Sequence, residues 1–452
     1  MPTPLVLVHG YASSGTAFSK WRDAFVAAGR EVKDIFIGSY VTLNNEVTVD
    51  DIANGFQHAL HDKGVDQAPF DAIVHSTGML VVRSWLTNPN APASRLKLLK
   101  HLVALAPATF GSPIASKGRS LLGRIFIGSK DPFGPDFLDS GNLVLSNLEL
   151  GSDFTWNLAH KDLIEKKLYG PDNTTPYVFI FDGTNDYGWL AEIFLPEDQE
   201  GSDGVVRWSG VALNTRKITL NLSVAKDGVR WADWSNLLDI PMIPVAGVHH
   251  NQILSAPPAE LISLVLKALE VDTKEQFANF HSDVIANAEV VKEGRAKQKG
   301  NTWQQFVVHA KDNHGSPITD YSIQIVAKAA DGSETAVSDF EKDVHPYAAD
   351  SSFRCFHVRL DGLVEKIAGK RLIARVIART GTKLLGYQGY GSNVAQGATP
   401  DFGPVDLDIS DFNGSQPGKP SVFYPFTTTL IEIILNREPM PPVDIFQWTN
   451  AS

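Results

Sequence analysis

The stretch Phe70–Leu80 constrains the fold of this chain more than any other. Ala72–Val74 is a short apolar run that fits a buried strand, and Met79–Leu86 continues as an apolar helix. Ser76 stands in the sharp turn between them, and Gly78 supplies the small residue expected two positions later. This is the context of a nucleophile elbow, in which the turn pushes a serine hydroxyl out of the sheet edge.

Val74, two positions before Ser76, departs from that motif, because glycine or another small residue is usual there. Taken alone, the stretch also fits a plain strand, turn and helix whose serine has no chemical role, since short motifs match by chance. The elbow hypothesis therefore requires that the chain also supply a base, an acid and oxyanion donors.

The composition bounds the class of protein and its partners. The chain has 452 residues, 43% hydrophobic and 20% charged, which fits a globular protein of two or three domains. Its formal net charge of −11 argues against nucleic acid and against charge-driven adhesion to anionic membranes. An apolar surface could still make transient contact with a lipid interface.

Compartment is predicted from the start of the chain and from its cysteine content. The single cysteine, Cys355, excludes an intrachain disulfide. No basic start or cleavage-site pattern precedes the apolar run at residues 5–8, and no apolar run approaches the length of a membrane span. We therefore expect a cytoplasmic location, with export of a disulfide-free protein as the alternative.

Apolar runs alternate with helical patterns through the first 270 residues. Strand-like runs lie at residues 4–8, 32–37, 72–74, 98–106 and 175–182, with residues 218–224 and 241–245 as possible last strands. Helical patterns lie at residues 17–28, 48–63, 79–86 and 260–270. This alternation predicts an α/β domain on a mostly parallel sheet over residues 1–270.

About seventy residues separate the strands near Val103 and Tyr177, which is long for a simple connection inside a compact domain. We interpret residues of about 116–167 as an inserted lid or cap. The alternative is a larger helical layer of the same domain.

The pattern changes after residue 270. Residues 271–299 are charged with a helical pattern and predict a linker helix, whereas residues 300–452 carry β-patterned segments separated by Gly, Asn and Asp turns. Between Phe353 and Leu360, apolar and polar residues alternate, which is typical of a half-buried antiparallel strand. We predict an all-β sandwich or barrel for residues 300–452.

Candidate partners for the serine follow it in the chain. His249 and His250 lie in a loop between an apolar strand and the last helical pattern, where a base is expected. Asp186 and Asp203 both satisfy the order serine, acid, histidine. An acidic loop can also hold calcium, but no ligand spacing here is specific, so no metal and no cofactor are predicted.

The oxyanion that develops during acyl transfer needs two backbone N–H donors. One is expected from Thr77, directly after the serine. The turn that ends the first strand is placed to give the second, because Gly10 allows close backbone approach and Tyr11 then offers its N–H group.

Five segments, in the right order, resemble the α/β-hydrolase lipases and esterases. They are LVLVHGY at residues 5–11, VHSTG at 74–78, APATFGSPIA at 106–115, GSDGVV at 201–206 and GVHHNQIL at 247–254. The resemblance covers residues of about 4–270 and implies an α/β-hydrolase fold. It also implies that Asp203 rather than Asp186 is the acid, and that His250 rather than His249 is the base. The β region is similar to that of lipases that carry an extra β domain.

The resemblance implies a serine hydrolase of acyl esters. The aromatic residues of the 116–167 stretch, together with Trp231 and Trp234, favour a lipid-like or otherwise apolar acyl group, although such residues are more often core. A phospholipase or an acyltransferase of the same fold is one alternative. A non-catalytic hydrolase-like binding module, with the β domain as the working part, is another. The sequence gives no oligomeric state.

Overall fold

A computed structural model provides the structure of this protein. It describes residues 3–8, 18–35, 47–89, 95–117, 142–170, 175–187, 200–223, 229–231, 239–337, 343–367, 369–389, 404–410 and 421–439. The chain divides into two compact units. The first comprises Met1–Thr215, Leu237–Trp303 and Phe426–Thr428, and the second comprises Arg216–Asn236, Gln304–Pro425 and Thr429–Ser452.

The first unit is built on a parallel sheet. Its described strands are β1 (Leu5–Val8), β2 (Val32–Ile35), β3 (Phe70–His75), β4 (Leu99–Leu105), β5 (Tyr177–Gly183) and β8 (Met242–Val245). They lie in the order β2-β1-β3-β4-β5-β8, and each neighbouring pair is parallel. Every residue of β1, β3 and β5 is buried, as expected for strands covered on both faces. The carboxyl ends of all six strands therefore meet at one edge.

Helices cover this sheet. Those of the first unit are α1 (Ser19–Ala27), α2 (Val49–Asp62), α3 (Gly78–Thr87), α4 (Arg95–Leu98), α5 (Asn142–Leu148), α6 (Asp153–Ala159), α7 (Trp208–Val211), α8 (Gln252–Ser255), α9 (Ala259–Ala268), α10 (Lys274–Asn287) and α11 (Glu289–Gln298). Single turns of 3-10 helix lie at Val65–Gln67 and Ala115–Lys117, and a π-helical turn at His160–Glu165 continues α6. Thr48 begins α2 with a capping box to Asp51.

The described part of the 116–167 stretch packs within the first unit. Helices α5 and α6 bury Leu148, Trp156 and Ala159. In the π-helical turn, Asp162 accepts hydrogen bonds from Arg83 of α3 at 2.7 and 3.0 Å. Residues 142–167 are therefore a helical layer on α3, which was the alternative to a lid. Residues 118–141 lie outside the described residues, and a lid there stays a prediction.

Residues 271–299 form two packed helices where one linker helix was expected. Both belong to the first unit. Gly294 of α11 sits so close to β8 that an added Cβ would lie 2.6 Å from the carbonyl oxygen of Pro244. The N–H of Ala246, just after β8, donates to the carbonyl of Val290 at 3.0 Å. The charged residues that suggested a linker form the exposed faces of these helices.

The second unit is antiparallel. Its strands are β6 (Thr215–Asn221), β7 (Val229–Trp231), β9 (Trp303–Asp312), β10 (Asp320–Lys328), β11 (Glu334–Ala336), β12 (Val344–Pro346), β13 (Phe353–Arg359), β14 (Arg371–Arg379), β15 (Leu385–Gln388), β16 (Val405–Asp408) and β17 (Thr428–Pro439). One described sheet has the order β11-β10-β14-β16, and the other β12-β13-β9-β17-β6-β7 with β15 on β17. A short helix, α12 (Leu363–Ile367), follows β13.

Alternate side chains from both sheets share one apolar core, so this unit is a β sandwich. Phe306, Val358 and Ile433 come from one sheet, and Ile325 and Val376 from the other. The predicted β sandwich is therefore present. Among the described helices of the whole chain, none combines the length and hydropathy needed to cross a membrane.

The expectation that residues 218–224 form a late strand of the parallel sheet is wrong. Residues 218–221 belong to β6, which pairs with β7 in a sheet of the sandwich, and residue 224 lies outside the described residues. Ile218 and Leu220 alternate with partly exposed neighbours and point into the sandwich core. This period of two is the pattern of an antiparallel strand with one buried face, whereas a strand inside the parallel sheet is buried on both faces.

Candidate active site

Ser76 occupies a strained turn between β3 and α3. Its φ of +52° lies in the left-handed region, which non-glycine residues rarely adopt. The surroundings hold it there, because its N–H donates to Leu105 at 3.2 Å and its carbonyl accepts the N–H groups of Met79 and Ala108 at 3.1 and 3.2 Å. Strain of this kind, fixed by neighbouring strands, is typical of functional turns.

Val74 does not interrupt this turn. The side chain is fully buried, and the residue pairs with Val8 of β1 and with Ala104 of β4. Strand β3 continues through it to His75. A valine is therefore accommodated where the motif usually has a smaller residue.

The structure brings Ser76, His250 and Asp203 into one hydrogen-bonded row. His250 Nε2 lies 3.0 Å from Ser76 Oγ, and His250 Nδ1 lies 2.6 Å from Asp203 Oδ2. The carboxylate can only accept, so Nδ1 carries the hydrogen and Nε2 is left to accept the serine proton. Asp203 and His250 have no exposed surface, and Ser76 is 2% exposed.

Asp203 is held as an anion by its donors. Its Oδ1 accepts the backbone N–H groups of Val205 and Val206 at 2.9 and 2.8 Å. Burial raises the pKa of Asp203, but the interaction with His250 and these two N–H groups outweigh burial, so its pKa lies below the ordinary value. An ionised Asp203 can stabilise a positive charge on His250 during a proton transfer.

Hydrogen bonds to backbone carbonyls hold the loops of the site together. The N–H of His250 donates to the carbonyl of Asp203 at 3.1 Å, which joins the acid loop to the histidine loop. His75 Nε2 lies 3.1 Å from the carbonyl of His250, so the residue before the serine contacts the backbone of the histidine loop. The Trp208 indole N–H donates to the carbonyl of Gly183 at 3.0 Å and ties the acid loop to the end of β5.

The two alternative residues lie elsewhere. His249 packs its ring 4.1 Å from that of Tyr187, and its Nδ1 accepts the N–H of Asn251 at 3.3 Å. Burial holds the pKa of His249 below its ordinary value. Asp186 is exposed. The histidine beside Ser76 is therefore His250 rather than His249, and the carboxylate bonded to that histidine is Asp203 rather than Asp186.

One of the two expected oxyanion donors lies in the described residues. Thr77 immediately precedes the first residue of α3 and is 2% exposed. Its N–H group lies at the amino end of a ten-residue helix, where the helix dipole favours negative charge. Tyr11 lies outside the described residues, as do His9 and Gly10, so its donor role stays a prediction.

The APATFGSPIA segment supports the acid loop. Ser112 Oγ donates to the carbonyl of Val205 at 2.6 Å, and its N–H donates to Leu148 at 2.8 Å. Gly111 has a φ of +86°, and an added Cβ there would lie 2.6 Å from the carbonyl oxygens of Leu148 and Glu149. This segment therefore positions Asp203 indirectly, by fixing the backbone two residues beyond it.

Sequence reasoning missed Asp182, which contacts the Asp203 side chain from β5. It is completely buried, and its Oδ1 accepts the N–H of Gly183 at 3.0 Å. The signal available in the sequence was a carboxylate inside an otherwise apolar strand. Among the described residues, no group of three or more His, Cys, Asp or Glu side chains could hold a metal ion. Trp234 and the side chain of Trp231 lie outside the described residues.

No family model matches this chain, and no curated protein matches it. Among solved structures, the phospholipase PlaB from Legionella pneumophila is similar over 99% of this chain and 96% of its own, at a TM-score of 0.75 and 22% identity. The structure of PlaB in complex with thio-NAD gives 0.76 and 21% over the same shares. The mature lipase BlEst2 from Bacillus licheniformis covers 59% of this chain and 91% of its own, at 0.38 and 15%.

At these identities the likeness to PlaB is one of fold, and it extends over both units. The chain has the α/β-hydrolase fold, with a parallel sheet flanked by helices and a β sandwich that includes most of the C-terminal residues. The predicted fold class is confirmed.

Proposed function

We propose that this protein is a serine hydrolase of carboxylic esters. The observation that carries the proposal is the row Ser76, His250 and Asp203, with Nε2 3.0 Å from the serine oxygen and Nδ1 2.6 Å from the carboxylate. A serine next to a histidine whose other nitrogen is fixed by a buried carboxylate is the arrangement that makes a hydroxyl nucleophilic.

The proposed reaction has two halves. Ser76 Oγ attacks the acyl carbonyl while its proton moves to His250 Nε2. The tetrahedral intermediate collapses as that proton passes to the leaving alcohol, which leaves an acyl group on Ser76. A water molecule then gives a proton to His250 and attacks the acyl carbon. The acid departs as Ser76 regains its proton.

Two features support charge stabilisation during these steps. Thr77 N–H, at the amino end of α3, is the donor we assign to the oxyanion, and Tyr11 N–H is proposed as the second. Asp203 remains ionised, because three donors hold its carboxylate, and so it stabilises the imidazolium that forms on His250.

We propose phospholipids as the first substrate class to test, ahead of neutral esters. The support is the similarity to a structure described as a phospholipase over nearly the whole of both chains, which includes the β sandwich. A short-chain esterase or an acyltransferase has no such support. A cytoplasmic location, with transient contact at a lipid surface, goes with this proposal.

The test of the reaction is Ser76→Ala. We expect a loss of ester cleavage on the order of 10⁴-fold or more, with an unchanged circular dichroism spectrum, because alanine removes the nucleophile and nothing else. Hydrolysis of p-nitrophenyl esters and labelling by a fluorophosphonate probe measure it. Retained cleavage by the variant would overturn the proposal, and a folded wild-type chain that the probe never labels would favour a binding module.

The substrate class is tested with the same pair of proteins. Phospholipid vesicles, triacylglycerol emulsions and soluble esters should be compared, with an added alcohol acceptor to detect acyl transfer. We expect Ser76-dependent release of fatty acid from phospholipid to exceed release from neutral lipid. A preference for neutral esters would leave the reaction intact and reject the phospholipid assignment.

A further inference from the structure

The side chain of Asp182 is a buried carboxyl group that the proposed reaction does not use. It lies in β5, one residue before the strand ends, and has no exposed surface. Its Oδ1 accepts one backbone N–H, from Gly183, and none of the residues that the structure describes donates to its Oδ2. Its side chain lies within hydrogen-bonding contact of the Asp203 carboxyl. Two buried carboxyl groups in contact share a proton, since two adjacent anions are costly in a low dielectric.

The donors around the two carboxyls decide where the negative charge resides. Asp203 receives three hydrogen bonds, from the N–H groups of Val205 and Val206 and from His250 Nδ1. Asp182 receives one. The anion is therefore better solvated on Asp203, and the shared proton belongs to Asp182. A protonated carboxyl is also the only form of Asp182 that can donate to Asp203.

The charge environment agrees with this assignment. Burial, followed by the negative charge of Asp203, raises the pKa of Asp182 well above its ordinary value, whereas His250 and the backbone donors lower the pKa of Asp203. Tyr187 and His249 also lie close to Asp203. Burial lowers the pKa of His249, which disfavours a positive charge on its ring, and burial raises the pKa of Tyr187 well above its ordinary value, so its phenol stays neutral.

We propose that Asp182 is a positioning residue that stays protonated and donates its hydrogen to Asp203, so that the acid of the triad has a fourth hydrogen bond. This inference rests on the proposed function of the Ser76 site. Asp182 does not touch the reacting atoms. It fixes the Asp203 side chain from the sheet and offsets its charge without adding a second anion.

The backbone around Asp182 is built to hold this contact. An added Cβ at Gly183 would lie 2.4 Å from the carbonyl oxygen of Val248, so the strand end lies directly against the histidine loop. Thr184 and Asn185 then donate their N–H groups to Val245 and Val248 at 3.0 and 3.1 Å. These contacts therefore fix the backbone that carries Asp182 against the histidine loop.

Two substitutions separate a neutral donor from a charged or merely space-filling residue. Asp182→Asn keeps the shape, can accept from Gly183 and can donate from its amide to Asp203. Asp182→Leu keeps the volume but donates nothing. We expect the kcat of D182N to lie within about threefold of wild type. The kcat of D182L should fall by about tenfold or more, because Asp203 then loses the hydrogen bond from the residue behind it.

The pH profile of kcat/KM gives a readout that a purely structural role would not move. A neutral Asp182 predicts that the acidic limb of D182N coincides with that of wild type. In D182L that limb should move to higher pH, because an Asp203 without its donor binds the protonated base more strongly. If Asp182 is an anion, both variants lose a negative charge and both acidic limbs move to lower pH, which would overturn the proposal.

Infrared spectroscopy tests the proton independently of catalysis. The difference spectrum of wild type minus D182N at about pH 7 should contain the carbonyl stretch of a protonated carboxylic acid. Absence of that band in the folded protein overturns the proposal. If wild type cleaves no ester but shows the band, the proposed function has failed while the protonation of Asp182 stands. If wild type is active and lacks the band, only the present inference has failed.

Discussion

At the scale of single residues, the site depends on positions where an ordinary preference is overridden. Ser76 adopts a φ of +52°, which costs on the order of 1–3 kcal/mol for a residue with a side chain. Hydrogen bonds from Ala108 and Met79 and to Leu105 maintain it. Hydrogen bonds also distinguish the two adjacent histidines. The backbone N–H of His250 donates to the carbonyl of Asp203, and its ring Nδ1 is bonded to the Asp203 carboxylate.

A prediction about the base follows at this scale. We expect His250→Gln to lower ester cleavage on the order of 10⁴-fold, because no proton acceptor remains beside Ser76. The matched control is His249→Gln, which should retain activity within a few-fold, since the ring of His249 packs on Tyr187. Initial rates on a p-nitrophenyl ester decide it. The reverse order of effects would reassign the base.

A second residue-scale prediction concerns stability and pH. The pKa of Asp182 is raised in the folded protein, so above its unfolded value of about 3.9 folding must take up a proton at this group. Its contribution to the free energy of unfolding therefore falls as pH rises. Asp203 has the opposite sign, because its lowered pKa contributes stability above that value which is lost on acidification.

We expect D182N to unfold at a Tm about 2 °C or more above wild type near neutral pH, because asparagine needs no proton to be neutral. The difference should shrink as the pH falls towards and below about 4, because Asp182 then becomes protonated in the unfolded state as well. Calorimetric scans at several pH values measure it. A D182N variant that is less stable than wild type at neutral pH and equal at acidic pH would contradict the sign.

At the scale of elements, the site lies where the carboxyl ends of the strands and the loops that follow them are hydrogen-bonded to one another. The elbow serine follows β3, Asp182 is in β5, and the histidine loop follows β8. Since these strands are parallel, their carboxyl ends bring side chains from distant parts of the sequence to one edge. The segment after β4 adds no catalytic group, but Ser112 supports the acid loop through its bond to Val205.

Glycine substitutions test the close packing of these loops. Gly111→Ala should cost several kcal/mol and lower ester cleavage, because its Cβ would meet two backbone oxygens at 2.6 Å and its φ is +86°. Gly64→Ala is the matched control, with a φ of +66° and no atom within 4 Å. It should cost only the strain of the left-handed conformation, about 1–2 kcal/mol. Urea unfolding gives both values, and equal costs would contradict the proposed crowding.

At the scale of the whole molecule, the two units are interleaved in sequence. Residues 216–236 belong to the second unit, although they stand between Asp203 and His250 in the chain. Strand β6 contributes Ile218 and Leu220 to the sandwich core. We therefore expect the connection from Asp203 to His250 to depend on folding of the second unit, which is not a simple C-terminal appendage.

Truncation tests this dependence. A chain that ends at residue 300 should fail to accumulate as soluble, active enzyme, because Ile218 and Leu220 would lose the core around them. A graded version is Ile433→Ala, in the core of the sandwich at 0% exposure, which should cost about 2–5 kcal/mol. Leu384→Ala, at 46% exposure, is the control and should be close to neutral. A truncated chain that folds and cleaves esters would refute the dependence.

The sequence by itself determined the features that depend on local patterns. Apolar runs and caps located most of the strands and helices, and the order of five short segments selected Ser76, Asp203 and His250. The elbow was recognisable because a strand, a turn and a helix are consecutive in the chain. The β sandwich was recognisable from alternating burial, which is set by the pleat of each strand.

Only the tertiary structure decided which elements share a sheet and which buried groups share a proton. Strand β6 was assigned to the wrong sheet, because a short apolar pattern contains no information about which strands will pair with it. Residues 142–167 and 271–299 are packed layers of the first unit, which depends on contacts with α3 and β8 that are remote in sequence. Asp182 was missed because its proposed role depends on its contact with Asp203. In the sequence it is one acid inside an apolar strand, whereas in the fold it lies beside the Asp203 carboxyl and is the proposed donor of its fourth hydrogen bond.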